Sequence, residues 1–572
     1  MLHDETLQMH ELVIRGGTVV DGTGAAPRVA DIAIDDGVIT AIGDVADGGT
    51  TEIDASGALV TPGWVDVHTH YDGQVSWDPE LAPSSHHGVT TVIMGNCGVG
   101  FAPVKPGSEG FLIELMEGVE DIPGTALHEG IDWTWETYGE YLDALEAMPR
   151  TIDVGGQLPH AAVRAYVLGD RAHEYDVTPD EIDEMAQITR DALDAGAFGF
   201  STSRTFLHTS KHGLVPGTHS TPDEVIAIAE AVRDSGHGLF QYVSDDLGQG
   251  GDEDWLDSLK EMGCPTTYTL AQTPRMPDAF RTALTAASKT TAAKAPLIPQ
   301  VAIRPTGMLF GLQSSFHPFI AHPSFREHWN DSLEEKVALL RDPVFVEKLV
   351  SEQPVTKNPF VTHMATAWHQ MYRLGDPVDY EPTAESSAAG IAERNGCRPE
   401  EIVIGWLLEN DGQSFMFSPL GNYHGNDHEA IREMLEHPAT IPGAGDGGAH
   451  CGLICDASFP TYMLTHWTRD RTRGPKIPIE RAVQLQTSAT ADAYGMSDRG
   501  RLEPGKVADV NIIDHEHLHL HPPHMVCDLP AGGRRLLQNV DGYLHTIKSG
   551  VVTFTDGVAT GARPGKVLRS GR

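Results

Sequence analysis

Basic residues and cysteine are both scarce in this chain. Its 572 residues hold 40 Lys and Arg against 81 Asp and Glu, a formal charge of −41 with histidine neutral. Phosphate backbones and anionic membrane surfaces are recognised by clustered Lys and Arg, so neither nucleic acid nor membrane is an expected partner. Six cysteines (Cys97, Cys264, Cys397, Cys451, Cys455, Cys527) are too few and too irregularly spaced for a disulfide framework. No apolar run reaches the ~20 residues of a membrane span. The opening stretch, Met1 to His10, lacks the basic-then-apolar order of a signal peptide, and the expected compartment is the cytoplasm. Aromatics are only 7%, but hydrophobic residues reach 40%, enough for a large core in several domains or in one barrel with additions.

Against that background one stretch concentrates chemistry: Thr61-Pro-Gly-Trp-Val-Asp-Val-His-Thr-His70. Residues i and i+2 of a strand share a face, so His68 and His70 can reach one cation from a single strand end. Val65 and Val67 fill the alternate face, and Asp66 and Asp72 add carboxylates nearby.

Residues 1–60 and 499–572 read as short strands and turns and are expected to form one small β domain. Asp36-Gly37 between two alternating apolar runs predicts a tight hairpin. Residues 61–498 alternate apolar strands with helical patterns, the mark of βαβ units, which favours a (β/α) barrel. Thr178-Pro-Asp-Glu181 and Thr221-Pro-Asp-Glu224 predict helix starts with capping boxes. Strands are expected at 88–96, 151–158, 197–202, 238–243, 266–270, 299–303 and 440–445. Residues 305–435, too many for one loop, predict a subdomain inserted over the barrel mouth.

Barrel chemistry sits at the C-terminal ends of strands. His68 and His70 end the first strand, Cys97 follows the second, His160 the third and Asp446 the last, within Gly443-Ala-Gly-Asp-Gly-Gly-Ala-His450. One cation could gather them.

The run Asp36-Gly-Val-Ile-Thr-Ala-Ile-Gly43, followed by Pro62 to His70, resembles the amidohydrolase superfamily. Gly95-Asn-Cys-Gly98, Ala197-Phe-Gly-Phe-Ser-Thr202, the aspartate of Gly445-Asp-Gly-Gly448 and the tail from Thr560 to Arg569 resemble, more narrowly, the N-acyl-D-amino-acid deacylases (D-aminoacylases). The resemblance covers nearly the whole chain. It implies an α/β fold, a (β/α)8 TIM barrel with a small β-sandwich domain, zinc, and hydrolysis of an acyl amide. It places His68, His70, Cys97 and Asp446 around the metal, Cys97 in the bridging position, with Asp446 moving the proton from water to leaving amine. A thiol and imidazoles suit zinc.

The chain departs from that family in one respect. The deacylases carry histidines at the ends of strands five and six, whereas 240–246 and 266–272 contain none, and no histidine lies between His237 and His317. This points to one zinc held by His68, His70, Asp446 and Cys97 rather than the two of the full arrangement.

For a substrate carboxylate the available cations are Arg204, Arg275 and Arg304, with Arg204 preferred. His160, with Arg164 one turn on, could polarise the scissile carbonyl or hold the carboxylate, and Tyr242 could add a hydroxyl. Cys451 and Cys455 read as buried packing, with His450 facing the site. The tract His515, His517, His519, His521, His524, interrupted by Glu and Leu, reads as the wet face of an edge strand. The expected partner is a small-molecule amide, with homo-oligomerisation left open. Two readings stay beside the linear amidase: a hydrolase for a cyclic amide or imide, and a barrel that only binds small molecules.

Overall fold

The computed structural model describes residues 9–245, 253–290 and 295–571. The fold is mixed α/β. At its centre lie eight short strands: β1 (Trp64–Asp66), β2 (Val89–Met94), β3 (Asp153–Gly156, resumed after Gln157 at Leu158–Pro159), β4 (Gly199–Arg204), β5 (Leu239–Ser244), β6 (Thr266–Leu270), β7 (Leu297–Val301) and β8 (Ile441–Pro442). They pair in chain order and in parallel, β1 to β3 in one sheet and the resumed β3 to β8 in another. Past β8 the chain returns beside the continuation of β1: Asp446 N donates to His68 O at 3.0 Å and His70 N to Gly447 O at 2.8 Å. Val-Thr-Thr-Val-Ile-Met of β2 is buried throughout, as expected of a parallel strand covered on both faces.

Helices α1 (Glu109–Glu120), α2 (His160–Leu168), α3 (Pro179–Ala195) and α4 (Pro222–Asp234) lie in the connections between these strands. Thr178 and Glu181 form the expected capping box of α3, and Gly196 ends that helix at φ +114°. Thr221 caps α4, but Glu224 does not reach back to it. That carboxylate is buried instead against His160 and Arg164.

Strands from both ends of the chain enter one nine-stranded sheet, where the family resemblance implies a small sandwich. Its core holds Ile14, Ile32, Ile34, Ile39, Val60, Val510, Ile512 and Ile547. Asp36 and Gly37 both take positive φ, the geometry of the tight hairpin their sequence predicts. Within 305–435, strands Gly307–Phe310, Tyr372–Arg373 and Met416–Pro419 form an antiparallel sheet among short helices, with a hydrophobic cluster that includes Phe310, Phe319, Phe325, Leu349 and Leu407. No helix among the described residues is long and apolar enough to cross a membrane.

Candidate metal centre

His68 and His70 leave β1 on one face, as their spacing requires, and both are fully buried. One ligand atom each from His68, His70 and Cys97 lies within 4.8 Å of the others. Cys97 Sγ is 3.4 Å from His68 Nε2, and Asp446 Oδ1 is 3.3 Å from His68 Nε2 and 3.7 Å from His70 Nε2. The four residues at three strand ends thus meet around one point, facing it with two imidazole nitrogens, a sulfur and a carboxylate oxygen.

Strained backbone delivers them. Cys97 (φ +57°), Ala444 (φ +55°), Asp446 (φ +47°) and His450 (φ +52°) all sit in the left-handed region, which L-residues with a Cβ avoid at a cost of ~1–2 kcal/mol each. Cys97 can turn inward because Gly98 beside it, at φ +75°, passes close to β4: a Cβ there would stand 2.9 Å from Thr202 Cα. Gly98 N also donates to Ser201 Oγ at 3.0 Å, and Cys97 N to Gln241 Oε1 at 3.3 Å. Gly98→Ala is therefore expected to destabilise by at least ~1–2 kcal/mol from φ alone, read as a lower denaturant midpoint, and to weaken metal binding through Cys97.

The side chains behind the cluster fix its protonation. His68 Nδ1 donates to Gln300 Oε1 at 2.6 Å, and Gln300 Nε2 donates in turn to Thr267 Oγ1 and Tyr494 Oη, both at 3.1 Å. That chain fixes the ring so that His68 Nε2 faces Cys97 and Asp446. Burial opposes charging His68, but Cys97 and Asp446 outweigh it and push it up to about 9. His70 is raised well above the ordinary imidazole value: burial opposes this, and the charge of Glu120 with the bond to Asp446 prevails. Asp446 is held far below the ordinary carboxylate range, burial being overcome by both histidines. The pocket's field therefore favours positive charge.

Glu120 was not visible in the sequence. It ends α1, fully buried, with its oxygens 3.5 Å from His70 Nδ1 and 3.5 Å from His450 Nε2. An acid in the last turn opposes the helix dipole, and that mismatch was the one available signal. Gln241 and Gln300 carry no such signal, since an amide in a strand looks ordinary.

Strands five and six carry no histidine in the structure either; Gln241 of β5 and Thr267 of β6 meet the site's hydrogen bonds instead. The residues expected to touch substrate do not join the cluster. Tyr242, next to Gln241, points by alternation to the opposite face, where it packs near Tyr268 in the hydrophobic core. His160 spends both ring nitrogens internally, 2.8 Å from Thr202 Oγ1 and 2.8 Å from Glu224 Oε1. Burial would raise Glu224, but His160 and Arg164 hold it down at about 2. Arg204 lies on the same strand face as Thr202, its guanidinium 4.9 Å from the Trp255 ring. Arg275 is exposed, and Arg304 is buried 2.8 Å from Asp456 and 3.8 Å from the centre of the Tyr380 ring. Cys451 and Cys455 are buried, as packing predicts, and burial pushes both thiols up to about 12.

A model of the amidohydrolase family matches residues 51–554. The chain is 32% identical to the D-aminoacylase of Alcaligenes xylosoxydans xylosoxydans, covering 98% of each protein. It is 28% identical to an uncharacterized protein of Mycobacterium tuberculosis, over 98% of this chain and 96% of that one. A crystal structure of N-acyl-D-glutamate deacylase from Bordetella bronchiseptica, complexed with zinc and a phosphonate inhibitor, superimposes with a TM-score of 0.66 at 23% identity, covering 98% of this chain and 100% of that one.

Proposed function

The chain belongs to the amidohydrolase family, and on that premise we propose that it is a zinc hydrolase cleaving the amide bond of an N-acyl-D-amino acid. The observation that carries this reading is the meeting of His68, His70, Cys97 and Asp446 at the C-terminal ends of parallel strands. We read the eight strands as one ring, a (β/α)8 barrel closed where Asp446 and Gly447 bond to the chain after β1. Residues 61–498 form its domain, residues 305–435 a subdomain inserted in it, and the two chain ends a small β domain beside it.

The donor set fits zinc. Two imidazoles and a thiol are its usual ligands, and the surrounding field favours a cation. With Gln241 and Thr267 on strands five and six, the complement supports a single ion held by His68, His70, Cys97 and Asp446. Zinc bound there supplies a Lewis acid and a water acidified to a pKa of about 7. Asp446 accepts the proton of the attacking water and returns it to the leaving nitrogen as the acyl carbon–nitrogen bond breaks. Glu120 holds His70 from behind, and Gln300 holds His68.

Gln300 has a measurable share in this. Gln300→Leu removes the acceptor of His68 Nδ1 and frees the imidazole to turn, so zinc affinity is expected to fall about 10- to 100-fold in a chelator competition.

The function is tested with purified protein on N-acetyl-D- and N-acetyl-L-amino acids, with metal content measured on the same samples. Hydrolysis of D-substrates, with roughly one zinc per chain at this centre that is lost in His70→Ala, is the expected result. Zinc-loaded protein that leaves every N-acyl-D-amino acid intact would reject the substrate assignment.

A further inference from the structure

The histidine tract near the C-terminal end does more than line a wet strand face. Strand His519–Leu529 pairs antiparallel with Gly533–Asp541, and Leu520 between the two histidines is buried. His519 and His521 therefore stand together on the outer face, ring centres 4.5 Å apart.

A third group arrives from far away in sequence. Asp376, in the chain just after Tyr372–Arg373, places Oδ1 2.8 Å from His519 Nε2 and Oδ2 3.9 Å from His521 Nδ1. One ligand atom from each of the three lies within 4.8 Å of the others. On the far side, Asp541 Oδ2 sits 2.7 Å from His521 Nε2. Asp541 thus holds His521 through Nε2 and leaves its Nδ1 on the side of the Asp376 carboxylate. A carboxylate that orients an imidazole whose other nitrogen meets a ligand oxygen is the usual outer support of a metal-bound histidine.

We infer that Asp376, His519 and His521 form a second binding site for a divalent transition-metal ion, zinc in the first instance, oriented by Asp541. Two imidazoles and a carboxylate are a zinc donor set, and partial exposure leaves room for water to complete the coordination. Glu381, His428 and His466 cluster in a similar way, but there Arg471 already bonds Glu381 at 3.0 and 3.1 Å and supplies the positive charge. Among the described residues no Lys or Arg bonds Asp376. The ion would tie the segment before Tyr380 to the hairpin 519–541, independently of the hydrolytic site.

Zinc chloride titrated calorimetrically into chelator-stripped, full-length protein tests this. Two classes of zinc site are expected. The double variant His519→Ala/His521→Ala loses one class and keeps amide hydrolysis, while Cys97→Ser keeps that class and loses the other. Asp541→Asn, which retains every ligand, weakens the class about 10- to 100-fold. Anomalous diffraction at the zinc edge then shows a peak between the three side chains. A double variant that binds as much zinc as the wild type, an Asp541→Asn protein with unchanged affinity, or no anomalous peak there would overturn the site. Loss of hydrolysis or of the Cys97-dependent class would bear only on the proposed reaction.

Discussion

Asp446→Asn is expected to lower kcat for amide hydrolysis by roughly 10²- to 10⁴-fold, the range a positioned proton carrier contributes. Asparagine is the informative replacement because it changes little else. At φ +47° the backbone is in a region that Asn tolerates nearly as well as Asp, and the bond from residue 446 N to His68 O is unaffected. What disappears is a group able to take a proton, 3.3 Å from His68 Nε2 and 3.7 Å from His70 Nε2. The substitution also removes a negative charge next to both imidazoles, so the measurement belongs at saturating zinc, with metal content confirmed. Asp446→Ala is expected to be worse in a different way, adding backbone strain and lowering stability. His70→Ala should lose the metal itself. An Asn variant that holds its zinc and works within tenfold of the wild type would move the proton role elsewhere, with Glu120, 3.5 Å from His70 Nδ1, one candidate carrier.

How much of this was legible in the sequence depended on the range of the signal. Local chemistry read well. The capping box at Thr178 and Glu181, the Asp36-Gly37 hairpin and the strand Thr266–Leu270 are where pattern and turn chemistry predict them. The His68/His70 pair shows in its i, i+2 spacing after a short apolar run, and Cys97 and Asp446 in glycine-flanked strand ends. Side-chain destinations set by tertiary packing were not. Glu224 carries the full local signal of a capping box, but the buried charges of His160 and Arg164 claim it. Tyr242 follows a strand pattern that names its position without saying which face looks inward; that was decided by the bond of its neighbour Gln241 to Cys97 N. The bounds of β7 shift by two residues, from the expected 299–303 to Leu297–Val301, with Pro299 in mid-strand opposite Tyr268. Asp376 and His521 lie so far apart in the chain that no local pattern relates them.

Replacing Asp153 by Ala is expected to destabilise the folded chain by about 3–5 kcal/mol, the cost of leaving buried charges without their partner. Asp153 at the start of β3 meets Arg499 Nη1 at 2.6 Å and Lys548 Nζ at 2.9 Å, and Lys548 Nζ lies a further 2.9 Å from Asp509 Oδ1. All four side chains are almost fully buried, so solvent screens them little. Asp153 also accepts from Lys566 N at 2.7 Å, and one carboxylate thereby joins a central strand, the nine-stranded sheet and the C-terminal tail. By contrast Arg501→Gln, which breaks a half-exposed pair with Asp492, should cost no more than ~1 kcal/mol. The pH dependence follows from the same charges. Burial alone would raise Asp153, but Lys548 and Arg499 hold it below the ordinary 3.8, so its contribution is present above that value and is lost as pH falls toward the depressed one. Burial alone would lower Lys548, but Asp509 and Asp153 raise it above 10.5, so its contribution is present below that value and is lost only as pH rises past it. Stability from this cluster should therefore be flat between those two limits, and Asp153→Asn should show a shallower acid limb than the wild type in denaturant melts. Equal acid limbs in the two proteins would mean that other carboxylates carry the acid sensitivity and that the cluster matters by packing more than by charge.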